Sequence, residues 1–199
     1  MATSEDNLGG RLPLLAPDAL DADQQKLYDA LTAKMVPWAN QSGFRADTAD
    51  GRVIGPFNAM LRSPRISQAL LALTNAEGEF TALSERVRQV VILTVGALWR
   101  ADYELYAHAA VGAQAGFDAA TVGALVAGEK PAALSAAESL AYDLTHRLTA
   151  QHQIPADLYG QAVATFGEKG VVDLIYLAGH YMIISGLLNT FAVPAPAPS

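Results

Sequence analysis

Residues 83–116 read LSERVRQVVILTVGALWRADYELYAHAAVGAQAG, and this stretch decides the fold. Ser84 suits a helix N-cap, and Glu85 in the first turn suits the helix dipole. The pattern then continues without a breaker to Gly116, which supplies a stop, so a single helix is expected across 84–116. Within it Glu104 and His108 lie four residues apart, on one face and one turn from each other. The flanks, 90–98 and 109–115, are rich in Val, Leu and Ala, so this face is expected to look inward. A carboxylate beside an imidazole in a dry environment transfers protons at neutral pH. The plainer account is a helix-stabilising pair worth about 0.2–0.5 kcal/mol.

Outward from this stretch the chain keeps a helical rhythm. Residues 20–36 read as an amphipathic helix, with Leu20, Leu27, Leu31 and Met35 on the apolar side. Residues 37–56 read as a long loop in which Trp38, Phe44 and Arg45 either wall a pocket or wrap a neighbouring subunit. Ser63-Pro64 starts a helix expected to run to about residue 76, with Ser63 as N-cap and Pro64 at its first position. Asp118 caps a short helix ending near Gly128, and Ser135 with Glu138 forms a capping box for another reaching about residue 150. Residues 155–166 and 171–191 complete the set. No period-two alternation lasts long enough for a strand, and abundant Ala favours helix. The fold class is all-α, with about seven or eight helices. Residues 1–19 are expected as an extended N-terminal arm, 20–191 as a single helical domain, and 192–199 as a Pro/Ala-rich tail, disordered or strapping.

The chain of 199 residues carries a net charge of −7, with 13 basic residues scattered rather than striped. That argues against a nucleic-acid partner, because phosphate binding wants clustered Lys and Arg. Cysteine is absent, which excludes disulfides, thiolate nucleophiles and thiolate metal ligands. The polar, acidic N-terminus is no signal peptide, so the cytoplasm is the default location. Residues 171–191 are long and apolar but contain Asp173, His180 and Asn189, which favours a buried core helix over a membrane span.

The run 83–96, followed by Tyr103-Glu-Leu-Tyr-Ala-His108 and Gly116, resembles the carboxymuconolactone decarboxylase family of the alkylhydroperoxidase D-like superfamily. The segment 54–64 and the C-terminal helix 171–189 extend the likeness over roughly 55–189. The resemblance implies an all-helical subunit assembled as a trimer or hexamer, with an active site lined by the long central helix. Peroxidase members of the superfamily carry Cys-x-x-Cys just before the histidine. Ala101 and Glu104 occupy those positions here, so a thiol–disulfide cycle is chemically impossible. Where those members keep a relay Glu, this chain has Gln89. The Glu-Leu-x-x-His element is that of the decarboxylase branch, and only Glu104 and His108 carry over by position.

The expected activity is that of a lyase or isomerase acting on a small carboxylated lactone or related enolisable acid, with no cofactor and no metal. His108 is the proton donor, and Glu104 orients its ring or holds it protonated. An anionic substrate calls for an arginine: Arg62, Arg86 and Arg100 are candidates, Arg100 lying one turn before Glu104, and each has the competing reading of a surface or interface charge. His180 and Tyr181, midway along the last helix, are placed with substrate binding if that helix packs on the central one. The commoner outcome for His180 is a satisfied core histidine. A metal held by His108, His180 and Glu104 ranks below acid–base chemistry. Glu85, Trp99, Tyr103 and Tyr106 shape either the pocket or the core, and His146 and His152 belong to the surface. A non-catalytic helical oligomer that binds a small molecule in the same cavity is the alternative.

Overall fold

The computed structural model describes residues 4–197, so Met1–Thr3 of the expected arm and Pro198–Ser199 of the expected tail lie outside the described residues. Among the described residues there are eight α-helices and no strand: α1 (Ala22–Ser42), α2 (Pro56–Met60), α3 (Pro64–Phe80), α4 (Glu85–Trp99), α5 (Asp102–Gln114), α6 (Ala119–Val126), α7 (Ala136–Gln151) and α8 (Ala156–Thr190). The all-α expectation holds.

Helix α4 is the axis of the molecule. Val90, Val91, Leu93 and Val95 are fully buried although they point in different directions around the helix, as a central helix requires. It packs on α7 and α8, and also on α5 and α6. One apolar cluster joins Val91, Ile92 and Val95 to Leu144, Leu174 and Leu177, and a second joins Val90 and Leu93 to Phe117 and Leu125. A third is built by α1, α2, α5 and α8 around Leu27, Leu31, Ile54, Ala107 and Leu188.

The expected unbroken helix across 84–116 is in fact a hairpin. Arg100 takes left-handed backbone angles (φ 53°, ψ 48°), its N–H donates to Ala97 O, and Ala101 N–H donates to Gly96 O. This is the paired bonding of a Schellman stop, with arginine where glycine is usual. Helix α5 then folds back along α4. A Cβ on Gly96 would lie 3.2 Å from Leu105 Cδ2 and 3.4 Å from Glu104 Cγ, so the missing side chain admits the returning helix.

Helix α1 also departs from expectation, running through Pro37 to Ser42 rather than ending at 36. Proline removes one backbone donor, but Ala39 and Ser42 stay buried on the continuing apolar face, and packing outweighs the lost bond. Gly43 (φ 83°) stops it. Helix α3 runs four residues past the expected end, and Ser63, though at its N-cap position, makes no side-chain capping bond. The two expected C-terminal helices are both present within α8, joined at a kink where Gly167 leaves helical geometry (φ 69°, ψ 168°). Helix α8 is long and apolar enough to cross a membrane by composition, yet Leu174, Leu177, Ala178 and Leu188 are buried in the core.

The N-terminal arm contains short 3₁₀ turns at Ser4–Gly9 and Pro17–Ala19 rather than being extended throughout. It is tied to the far end of the chain: Arg11 N–H donates to Phe191 O at 2.6 Å, and Leu8 shares a core cluster with Val193. Asn58 on α2 holds the arm by accepting from Leu15 N–H.

Candidate active site

The site begins on α4, where Glu85, Arg88 and Gln89 follow helical spacing on one side. Arg88 donates to Glu85 Oε2 at 2.8 Å, and Gln89 Nε2 donates to Glu85 Oε1 at 2.6 Å. This fixes the Gln89 amide so that its oxygen faces α5, where it lies 2.8 Å from His108 Nδ1. An amide oxygen only accepts, so Nδ1 carries the ring proton and Nε2 is bare.

Glu104, one turn earlier on α5, places Oε1 3.2 Å from that bare nitrogen. Both side chains are buried. As a carboxylate, Oε1 makes no hydrogen bond. As a carboxylic acid it has an acceptor waiting in Nε2. Electrostatics agree: burial pushes the Glu104 carboxyl up to about 8. His108 falls to about 3 through burial, assisted by the charge of Arg88 and by His180. At pH 7 the pair is therefore neutral, with Glu104 as the acid and His108 as the base. This corrects the expectation that His108 holds the proton. Separated charges are too costly in a dry site.

Helix α8 brings His180 and Tyr181 to the same place. The Tyr181 ring meets His108 edge-on, with centroids 5.0 Å apart. Thr74 Oγ1 on α3 donates to Leu70 O and lies 3.5 Å from His180 Nε2, leaving His180 Nδ1 buried without a partner. Burial, with the charge of Arg88, lowers His180 to about 4.

These groups line a cavity of about 60 Å³ whose other walls are apolar or aromatic. Trp38 and Phe44 close one side, stacked edge to face at 5.2 Å; Phe57, Met60 and Leu71 close another. Of the two readings expected for this segment, Trp38 and Phe44 fit the pocket wall, whereas Arg45 lies outside the lining and its Nη2 donates to Asp47 O at 3.4 Å. Tyr103 Oη donates to the Arg45 carbonyl at 2.6 Å, and the Arg45 N–H donates to Tyr106 Oη at 3.0 Å. Tyr103 lines the cavity, and Tyr106 braces it from behind.

The expected arginines are elsewhere. Arg100 is exposed at the α4 stop and lies outside the cavity lining. Arg86 pairs with Glu138 at 2.6 Å and lies 4.0 Å over the Phe117 ring; Arg62 donates to Pro13 O. Trp99 is half-exposed and also outside the lining. His146 stacks on Tyr142, and exposed His152 ends α7. Among the described residues no three His, Asp or Glu side chains converge as metal ligands. Sequence reasoning missed Gln89 as the anchor of the His108 ring. The signal was there: an amide between Val87 and Val90 in an apolar helix needs a buried partner.

The buried groups give stability a defined pH dependence. Glu104 rises from 4.5 to about 8, and Glu77, also buried, from 4.5 to about 7. The two histidines fall from 6.5, to about 3 and about 4. Between pH 4.5 and 6.5 the folded chain keeps two carboxyl protons that the unfolded chain loses, and excludes two imidazolium protons that the unfolded chain binds. These effects cancel. Above 6.5 only the carboxyl effect remains, so stability from these groups falls as pH rises through 7 to 8. Urea unfolding across this range should show the decline, and Glu104→Gln should remove its upper part. A decline that Glu104→Gln leaves unaltered would place the ionisation elsewhere.

No family model and no curated sequence matches the chain. Among solved structures it is similar to an uncharacterized peroxidase-related protein from Silicibacter sp. TM1040, with a TM-score of 0.75 and 20% identity over 95% of this chain and 93% of that one. It is also similar to an uncharacterized peroxidase-related protein from Ralstonia eutropha JMP134, described as an alkylhydroperoxidase AhpD core, with a TM-score of 0.74 and 13% identity over the same shares. At these identities the likeness shows the fold, which is AhpD-like.

Proposed function

We propose that the chain is an enzyme of the lyase or isomerase type that moves a proton at carbon next to a carbonyl group, using His108 as base and Glu104 as acid. The observation that carries this reading is the bare Nε2 of His108, 3.2 Å from a carboxyl oxygen with no other partner, at the wall of an apolar cavity. Nε2 takes the α-proton, and the C–H electron pair becomes the new C=C bond. The carbonyl π pair moves to oxygen, which receives the Glu104 proton. The product is an enol, and the enzyme is left as imidazolium and carboxylate. Proton transfer from Nε2 to Glu104 across their 3.2 Å contact restores the neutral pair. Tyr181 and Gln89 keep the ring from rotating.

Decarboxylation of a carboxylated lactone is the alternative form, supported by the motif around Glu104 and His108. There the C–C bond to the carboxylate breaks in place of a C–H bond, and carbon dioxide leaves. The electron pair of the broken bond becomes the C=C bond, and the carbonyl oxygen receives the Glu104 proton. The peroxidase-related names of the fold neighbours do not transfer as thiol chemistry, because the chain has no cysteine. Incubation with enolisable ketones in deuterium oxide, followed by NMR, and with lactone acids, followed by carbon dioxide release, tests both forms. Turnover in neither assay would leave a non-catalytic binding cavity.

We also propose self-association, as trimer or hexamer. Val172, Ile175, Tyr176 and Ile183 make one exposed apolar row along α8. Sedimentation should give an oligomer that Ile183→Glu shifts toward monomer; a monomeric wild type would refute the assembly.

A further inference from the structure

The charge and size of the cavity say what class of guest it takes. Among the described residues lining it there is no lysine or arginine. Arg88 makes its charge felt at both histidines, but it stands outside the lining, with its guanidinium on Glu85 at 2.8 Å. A carboxylate entering here would shed its water and meet no countercharge, the costliest form of burial.

Hydrogen-bond complementarity points the same way. Beside each other the wall carries one acceptor, His108 Nε2, and one donor, the Glu104 carboxyl, which serve each other until a guest that can replace both ends of their contact enters. A ketone with an α-hydrogen matches both, with oxygen toward the donor and C–H toward the acceptor. A carboxylate presents two acceptor oxygens to this pair and leaves one facing the bare nitrogen. Size sets the remaining limit. About 60 Å³ holds several waters but is well below the 150 Å³ that admits benzene in an engineered apolar cavity, so the guest is smaller than benzene, with about five heavy atoms at most.

We infer that the cavity selects compact, uncharged ketones or aldehydes bearing an α-hydrogen and rejects carboxylates of the same shape. The requirement for an α-hydrogen rests on the proton-transfer reading above; the selection against charge does not. The inference moves the function toward isomerisation and away from decarboxylation of an acid.

Butanone and propanoate are a suitable pair, with equal heavy-atom counts and nearly the same outline. The chain has two tryptophans, and only Trp38 lines the cavity. In the ¹⁵N-labelled full chain, Trp99→Phe assigns the Trp38 indole N–H signal, which is then followed during titration at pH 7. Butanone should shift that signal saturably, with propanoate weaker by about tenfold or more. Propanoate binding within about tenfold of butanone would overturn the inference, as would no shift from either compound up to about 100 mM. Deuterium exchange at butanone carbon 3, measured in parallel, separates the two claims. Binding of butanone without exchange would remove the proton-transfer reading while leaving the charge selection in place.

Discussion

Replacing His108 with asparagine is expected to lower the rate of α-proton exchange by about 10²- to 10⁴-fold while the chain remains folded. Asparagine is the informative choice because its amide nitrogen falls near the place of Nδ1. It can still donate to Gln89 Oε1, now 2.8 Å from the ring, so the buried anchor is kept. What disappears is Nε2, the bare base. The carboxyl of Glu104 loses its acceptor, which costs about 1–3 kcal/mol of stability, so unfolding should be measured beside the rate. The wild-type rate should be flat from moderately acid pH and fall as Glu104 ionises near 8, since the active pair is the neutral one. In Glu104→Gln that alkaline limb should vanish, together with about 10²-fold of rate. An exchange rate in the asparagine variant within about threefold of wild type would remove His108 from the chemistry.

The same residues show what was legible in the sequence. Glu104 and His108 could be found because helical spacing alone puts them on one face, and the apolar flanks tell which face. Their burial follows from that local pattern, but the cavity beside them does not, because α1, α2, α3 and α8 build its other walls. Their roles did not follow, because the proton's position depends on desolvation and on the tautomer, and Gln89 sets the tautomer from another helix. The break at Arg100 was hidden for a related reason. A left-handed arginine carries no glycine or proline signal, and the hairpin is held by packing at Gly96 against Leu105, which is a tertiary effect. Arg100 lies one turn before Glu104 only on an unbroken helix, and the stop at Arg100 itself removes that register. Pro37 misled in the opposite direction, since the buried continuation of α1 outweighs one lost hydrogen bond and carries Trp38 into the cavity wall.

Gly55→Ala is expected to destabilise the fold by about 3 kcal/mol or more, a large share of the 5–15 kcal/mol typical of a domain. Two independent costs meet at this residue. Its backbone sits at φ 63°, ψ −141°, a conformation that side chains rarely adopt. A Cβ built there lies 2.3 Å from both Cε1 and Cζ of Tyr103. The tyrosine cannot easily retreat, because it is buried and its hydroxyl donates to Arg45 O at 2.6 Å. The backbone of Gly55 cannot move alone either, since it leads directly into α2, whose Phe57 and Met60 wall the cavity. A double-mutant cycle separates the two costs. In a Tyr103→Ala background the steric part should disappear and the backbone part remain, so adding Gly55→Ala should cost about 1–2 kcal/mol there. Urea unfolding of the four proteins measures this directly. An equal cost in both backgrounds would mean that Tyr103 is not what excludes a side chain at 55, and a single-mutant loss below about 1 kcal/mol would mean that this glycine does not hold the cavity's wall in place.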